Sequence, residues 1–167
     1  MRMADTPLNV AREAAPVIAA GREAGLRCAI ICRESRDEAI AAAYALVARL
    51  DRKAGDRARE LAFREASDSV CVKTSHELAE DAWPTPFLWT GAIPTHGPAA
   101  AAIVGSPVDV AAAIVEYERA GVSQFIFSGW PKTQEMRFFG DRVLPLVRRA
   151  EPEPVPGRQH SLAPGSI

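Results

Sequence analysis

The chain has 167 residues, 48% hydrophobic and 25% charged, enough to bury one ordinary core and with no sign of a second. A formal net charge of -1 and a pI near 6.3 supply no clustered positive field, which excludes nucleic acid and anionic membrane surfaces as expected partners. No apolar run approaches the ~20 residues that span a bilayer and no leader pattern is present, so a cytoplasmic protein is expected by default.

Val10 to Ala24, rich in Ala, Glu and Arg, predicts a helix broken near Pro16. Gly25 then opens Leu26-Arg27-Cys28-Ala29-Ile30-Ile31-Cys32, the nearly continuous apolar run of a strand buried on both faces in a parallel sheet. Of the three cysteines, Cys28 and Cys32 fall in that run and Cys71 lies apart. Small buried hydrophobes are expected rather than metal ligands or a redox pair. Ser35-Arg36-Asp37-Glu38 matches the capping-box pattern, in which hydroxyl and carboxylate each satisfy an orphan amide, and Ile40, Tyr44 and Val47 then share one helical face.

From Asp51 to Ala82 the chain is heavily charged, and mobile or loosely packed helices and loops are expected. Prolines at 84, 86, 94 and 98 with glycines at 91 and 97 make Trp83 to Pro98 irregular, the kind of long loop that is functional or disordered. Ala100 to Val104 is a short strand, followed by Ser106 at an N-cap, Pro107 at the first helical position and Val110, Ile114 and Tyr117 as the buried stripe. Gly121 ends that helix in a left-handed cap, and Val122 to Phe127 is a further apolar strand leading to Ser128-Gly129-Trp130-Pro131. A last helix from Thr133 to Arg149 buries Met136, Phe139, Val143 and Leu146, with Pro145 as a kink near its end.

Buried strands alternating with amphipathic helices predict an α/β architecture with parallel strands, because parallel strands require helical crossovers. Three convincing strands are too few to close a barrel.

Ala102-Ile103-Val104-Gly105-Ser106-Pro107, Ile114-Val115-Glu116-Tyr117, Ala120-Gly121-Val122, Phe125-Ile126-Phe127-Ser128-Gly129-Trp130-Pro131 and Val143-Leu144-Pro145-Leu146 together resemble the luciferase-like, flavin-dependent monooxygenases of the alkanesulfonate type. Gly25-Leu26-Arg27 with Ile30 to Ser35 is similar to that family's sixth barrel strand, and Leu88-Trp89-Thr90-Gly91 to the segment entering the seventh. The resemblance covers roughly residues 8–149 and implies the C-terminal portion, about the last three strand-helix units, of a (β/α)8 TIM-type barrel that is incomplete as a barrel. Residues 1–150 then form the partial barrel domain, with 51–99 as a variable insertion and loop region, and 151–167 a disordered Pro-rich tail.

The function so implied is that of a two-component oxidoreductase: reduced FMN from a separate flavin reductase, dioxygen, and oxygenation of a small organic substrate such as a sulfonate. The chain alone is expected to be inactive. Arg27 agrees with the strand arginine of the alkanesulfonate enzymes' active site, whereas Ala29 replaces their histidine, His96 a mobile-loop arginine, and Trp130 the tyrosine of Ser-Gly-Tyr-Pro.

The candidate catalytic residues are thus Arg27, His96 and Trp130, the candidate flavin-binding residues Ser128, Gly129 and Trp130, and the substrate-binding residues Arg27 and Lys132. Each has a plainer alternative. Arg27 binds a substrate or flavin anion or pairs with a structural carboxylate such as Glu116 or Glu135. Trp130 stacks on flavin or merely packs; Lys132 binds a sulfonate or phosphate or is solvated; His96 exchanges protons or is an ordinary loop residue. Arg33, with Thr95 and His96, would sit near the rim at the strands' C-terminal ends.

His76 and His160 lack ligand spacing, so no metal is expected, and no dinucleotide fingerprint, P-loop or nucleophile turn is present. Two other readings stay open: a truncated noncatalytic remnant or interaction module that associates through an exposed sheet edge, as a homo-oligomer or with another chain, and a deazaflavin-dependent hydride-transfer member of the same fold.

Overall fold

A computed structural model describes residues 1–48, 69–129 and 132–150. The expectations for residues 51–68, for Trp130 and for the tail 151–167 lie outside these residues.

The sheet is built on its second strand. β1 (Arg2–Met3), β2 (Ala24–Cys32), β3 (Leu88–Trp89), β4 (Ala102–Gly105) and β5 (Val122–Gly129) form one sheet in which β1, β4 and β5 all run parallel to β2. β5 pairs with Ala24 to Ile30 of β2, and on the other side β1 pairs with Leu26 and Arg27 and β4 with Ala29 to Cys32. β3 closes the far side antiparallel to β4, with Trp89 opposite Ala102. β4 and β5 therefore flank β2 rather than each other, and the sheet is open, as three crossover-connected strands must leave it.

Alternate residues of β2 enter two cores, as the twofold period of a strand dictates. Leu26, Cys28, Ile30 and Cys32 join Ile103, Val110, Ile114, Tyr117, Val143 and Val147. Ala29 and Ile31 join Trp89, Ala100, Ala102 and Val104 on the opposite face. Burial on both faces is what the unbroken apolar run predicts.

The helices occupy both faces. α1 (Pro7–Ala19) is capped by Thr6 and runs through Pro16 without a break, correcting the expected interruption. Pro16 and Arg12, whose carbonyl loses its bond to the missing N–H, are both exposed, so water can satisfy that carbonyl. α2 (Arg36–Ala48) starts at the expected capping box, with Glu38 N–H donating to Ser35 Oγ at 3.3 Å and Ser35 N–H to Glu38 Oε2 at 3.1 Å. Its deepest residues are Ala39 and Ala43, whose small side chains let the helix lie close to Ala29 and Ala102; of the expected face, Ile40 and Val47 pack partly buried against this core and Tyr44 does not. Tyr44 is exposed, and its hydroxyl accepts from Trp83 Nε1 at 2.9 Å.

α3 (Val70–Leu78) is a helix within the charged stretch where helices and loops are expected, whereas Trp83 to Pro98, expected to be irregular, contains β3 and the short α4 (Ile93–His96). α5 (Pro107–Arg119) follows β4 as predicted, with Val110, Ile114 and Tyr117 buried and Gly121 beyond it at φ 98°. Tyr117 donates its hydroxyl to the Asp5 carbonyl at 2.7 Å, fastening α5 to the start of the chain. Burial holds that phenol well above its ordinary pKa, so the donor stays protonated.

The last helix is in three parts: α6 (Lys132–Phe138), a π-helical turn (Phe139–Val143) and α7 (Leu144–Ala150). Leu144 N–H bonds the Phe139 carbonyl, five residues back. The expected disturbance near Pro145 is thus a π-turn immediately before it, a wider turn of the sort that absorbs an irregularity within a continuing helix.

Candidate functional site

β2, β4 and β5 end side by side, with Cys32 beside Gly105 and Ile30 beside Gly129. Parallel strands that end together bring the following loops and helix starts into one neighbourhood, the place where α/β proteins put chemistry.

Glu135 organises this end. It is 1% exposed, and its Oε2 accepts the Cys32 N–H at 3.2 Å while Oε1 pairs with Arg33 Nη1. Arg33 also donates to the Cys32 carbonyl at 2.6 Å, and its backbone N–H to the Gly105 carbonyl at 3.3 Å. A buried carboxylate requires such compensation. Gly129 makes room for it, since a Cβ there would lie 2.4 Å from Glu135 Cβ. A second pair stands beside the first: Arg142 holds both oxygens of Glu34, at 2.9 and 2.8 Å.

Burial and the neighbouring Glu135 push the Cys32 thiol up to about 12, and burial alone does the same for Cys28. Both are unreactive near neutrality, matching the expectation for Cys28 and Cys32, whereas Cys71 is exposed and departs from it. Among the described residues no three His, Cys, Asp or Glu side chains gather as a metal site, and no helix is long and apolar enough to cross a membrane.

The residues singled out from sequence fall in different places. Arg27 is exposed rather than buried, so the premise that it needs a structural carboxylate is overturned. Glu135 is taken by Arg33, and Glu116 lies on α5, which packs against the other face of the sheet. The parallel register puts Ile126 opposite Arg27 and Ser128 opposite Ala29, so Arg27 and Ser128 share a face. α2 covers that face over Ala29 and Ile31. Ile126, 49% exposed, and Arg27 are left open.

Gly129 is explained by its contact with Glu135. Lys132 is exposed as the first residue of α6, one turn before Glu135. His96 ends α4, ahead of the start of β4, with Nδ1 2.8 Å from Thr95 Oγ1, whereas Arg33 follows the opposite end of the parallel strands. The structure thus gathers Arg27 with Ser128, and Lys132 with Glu135 and Arg33, but does not bring His96 to either group.

Glu135 as the centre of this end was missed from sequence. Its signal was present: Glu135, Phe139 and Val143 recur at i, i+4, i+8, so a carboxylate interrupts an apolar stripe and must be paired. An open groove of about 530 Å³ between Pro84–Phe87 and α5 carries Arg36, Asp109 and Glu116, charges of both signs that single out no ligand.

No family model matches the chain. A sulfoquinovose monooxygenase of Agrobacterium fabrum is 34% identical over 148 residues, covering 85% of this chain and 37% of the relative. The chain therefore spans little more than a third of that protein's length. Two solved structures share the fold: riboflavin lyase RcaE, with modified FMN and its substrate riboflavin, and DmoA from Hyphomicrobium sulfonivorans. The TM-scores are 0.55 and 0.60 at 15% and 16% identity, each covering 89% of this chain and 38% and 36% of theirs. Over that shared stretch, the chain resembles the luciferase-like, flavin-dependent monooxygenases.

Proposed function

We propose that the chain is part of a cytoplasmic flavin-dependent monooxygenase that oxygenates a small sulfonate-bearing substrate, using dioxygen and reduced FMN delivered by a separate reductase. The observation that carries this reading is the 34% identity to a sulfoquinovose monooxygenase. The open part of the face, which bears Arg27, fits it, because an exposed guanidinium suits an anionic ligand, and the half-buried Ser128 lies further along the same face.

Reduced flavin would supply the oxygen activation and the transfer of one oxygen atom. The chain's own residues would do simpler work. Arg27 would attract an anionic group, Ser128 would offer a hydroxyl on the same face, and the apolar Ala29, Ile31 and Val104 would keep water from the covered half of the face. Lys132 would contribute a second cation at the strand ends. His96 and Trp130 remain candidate proton-exchanging and flavin-stacking residues, respectively.

Turnover would require further strand-helix units beside this sheet. Fusing the chain behind the corresponding N-terminal part of the Agrobacterium relative should give oxygen-dependent sulfite release from sulfoquinovose, falling at least about tenfold in Arg27→Ala. The chain alone should show none. A folded hybrid that binds reduced FMN yet consumes oxygen with no sulfonate would sink the reading, and hydride transfer from a reduced deazaflavin would replace it. The edge position of β5 favours a second reading, association through that edge with a copy of the chain or another protein; sedimentation of the chain alone as a monomer at micromolar concentration would remove it.

A further inference from the structure

We infer that Arg33, oriented by Glu135, receives a tetrahedral oxyanion at the C-terminal ends of the parallel strands. The inference rests on the proposed function only for which molecule carries that group.

The guanidinium is held before any ligand arrives. Nη1 is fixed by the Glu135 carboxylate and by the Cys32 carbonyl, the Arg33 backbone by Gly105, and Glu135 in turn by the Cys32 N–H and its packing on Gly129. A chain of contacts spanning β2, β4, β5 and α6 thus aims one side chain. The arginine is 34% exposed, and Nε and Nη2 donate to no acceptor among the described residues. A planar fork with one edge occupied and donors left at the solvent side matches two oxygens of a sulfonate or phosphate.

The neighbouring carboxylates are engaged elsewhere, so none of them occupies the free donors of Arg33. Glu34, next in sequence, is neutralised by its two-point pair with Arg142. Asp109, beside Gly105, is turned into its own helix cap, accepting from Ser106 N at 2.9 Å and Oγ at 2.7 Å. Lys132 is exposed one turn before Glu135. Arg33 thereby differs from Arg27, which stands on an open face with no second residue among the described ones aiming it.

The test is calorimetric titration of the chain with inorganic phosphate and with methanesulfonate, followed by competition with FMN and with riboflavin. Saturable binding of at least one ion is expected, weakened about tenfold or more in Arg33→Gln. Glu135→Gln, which keeps an acceptor for Cys32 but loses the charge that aims Arg33, should weaken it by about threefold to tenfold. Arg33→Lys retains the charge and loses the fork; it should also bind more weakly, and it decides the matter if Arg33→Gln does not fold by circular dichroism. Displacement of phosphate by FMN but not riboflavin assigns the site to the flavin phosphate, and preference for methanesulfonate without FMN competition assigns it to a substrate sulfonate. No saturable binding, or equal binding in wild type and in both Arg33 variants, overturns the inference. None of these titrations uses turnover, so failure of the monooxygenase reading leaves them interpretable.

Discussion

Gly129 and Glu135 occupy adjoining space so closely that a Cβ on the glycine would stand 2.4 Å from the glutamate Cβ and 2.7 Å from its Cγ. Neither atom is the free end of a long side chain, so strand and helix would have to separate. Gly129→Ala should destabilise the chain by about 1–3 kcal/mol in urea denaturation. Gly140, with no heavy atom within 4 Å of an added Cβ and no positive φ, is the control. Gly140→Ala should be neutral or stabilising by up to ~1 kcal/mol, through the unfolded chain.

Ser106 and Asp109 satisfy each other's backbone at the start of α5, the hydroxyl taking the Asp109 N–H at 3.3 Å and the carboxylate the Ser106 N–H at 2.9 Å. Each alanine substitution should cost about 1 kcal/mol. The double variant should cost less than the two together, because each single change already breaks the shared Oγ–Oδ2 bond at 2.7 Å. Additive losses in a thermal-melt cycle would deny the reciprocity.

The buried thiols predict an alkaline limit to stability. Cys28 and Cys32 are raised from 9.0 to about 12, so the folded state favours the neutral thiol over the thiolate more strongly than the unfolded chain does. That contribution is complete below pH 9 and is lost as pH rises from 9 towards 12. Denaturant midpoints should be level from pH 7 to 8 and fall above 9, with a shallower fall in Cys28→Ala. Labelling by a thiol reagent at pH 8 should modify Cys71 at once and the other two only on unfolding.

Trp89 is fully buried, and its indole N–H has no hydrogen-bond partner among the described residues. Replacing it removes packing and an unmet donor together. Trp89→Phe should therefore cost less than the ~3–5 kcal/mol of a large-to-small core change, by at least the ~1 kcal/mol of an unsatisfied donor. Trp89→Ala should carry the full cost, and equal losses in the two variants would contradict the unmet donor.

Local signals were the legible ones. The capping residues Ser35 and Ser106, the stripe Val110, Ile114 and Tyr117, the left-handed Gly121 and the doubly buried β2 all follow from neighbours within a few residues. What escaped was set by distant chain. Sequence spacing marks Tyr44 as core, but α2 turns Ala39 and Ala43 inward because Ala29 and Ala102 form a shallow seat for it. Arg27 reads as buried from its apolar neighbours, yet its side of β2 lies beyond the part that α2 covers. The Arg33–Glu135 pair joins residues 102 apart, and no local pattern names that partner, although the apolar stripe around Glu135 shows that one is needed.

The central position of β2 also sets an order of events for the nascent chain. Its full-length partner, β5, lies about a hundred residues downstream, and the shorter β4 nearly eighty. The most apolar segment therefore leaves the ribosome long before either principal neighbour exists, and closing so large a loop carries an entropic cost that only late contacts can repay. Holdase chaperones that grip short apolar strands should thus bind nascent chains arrested near residue 60 far more than chains extended beyond β5.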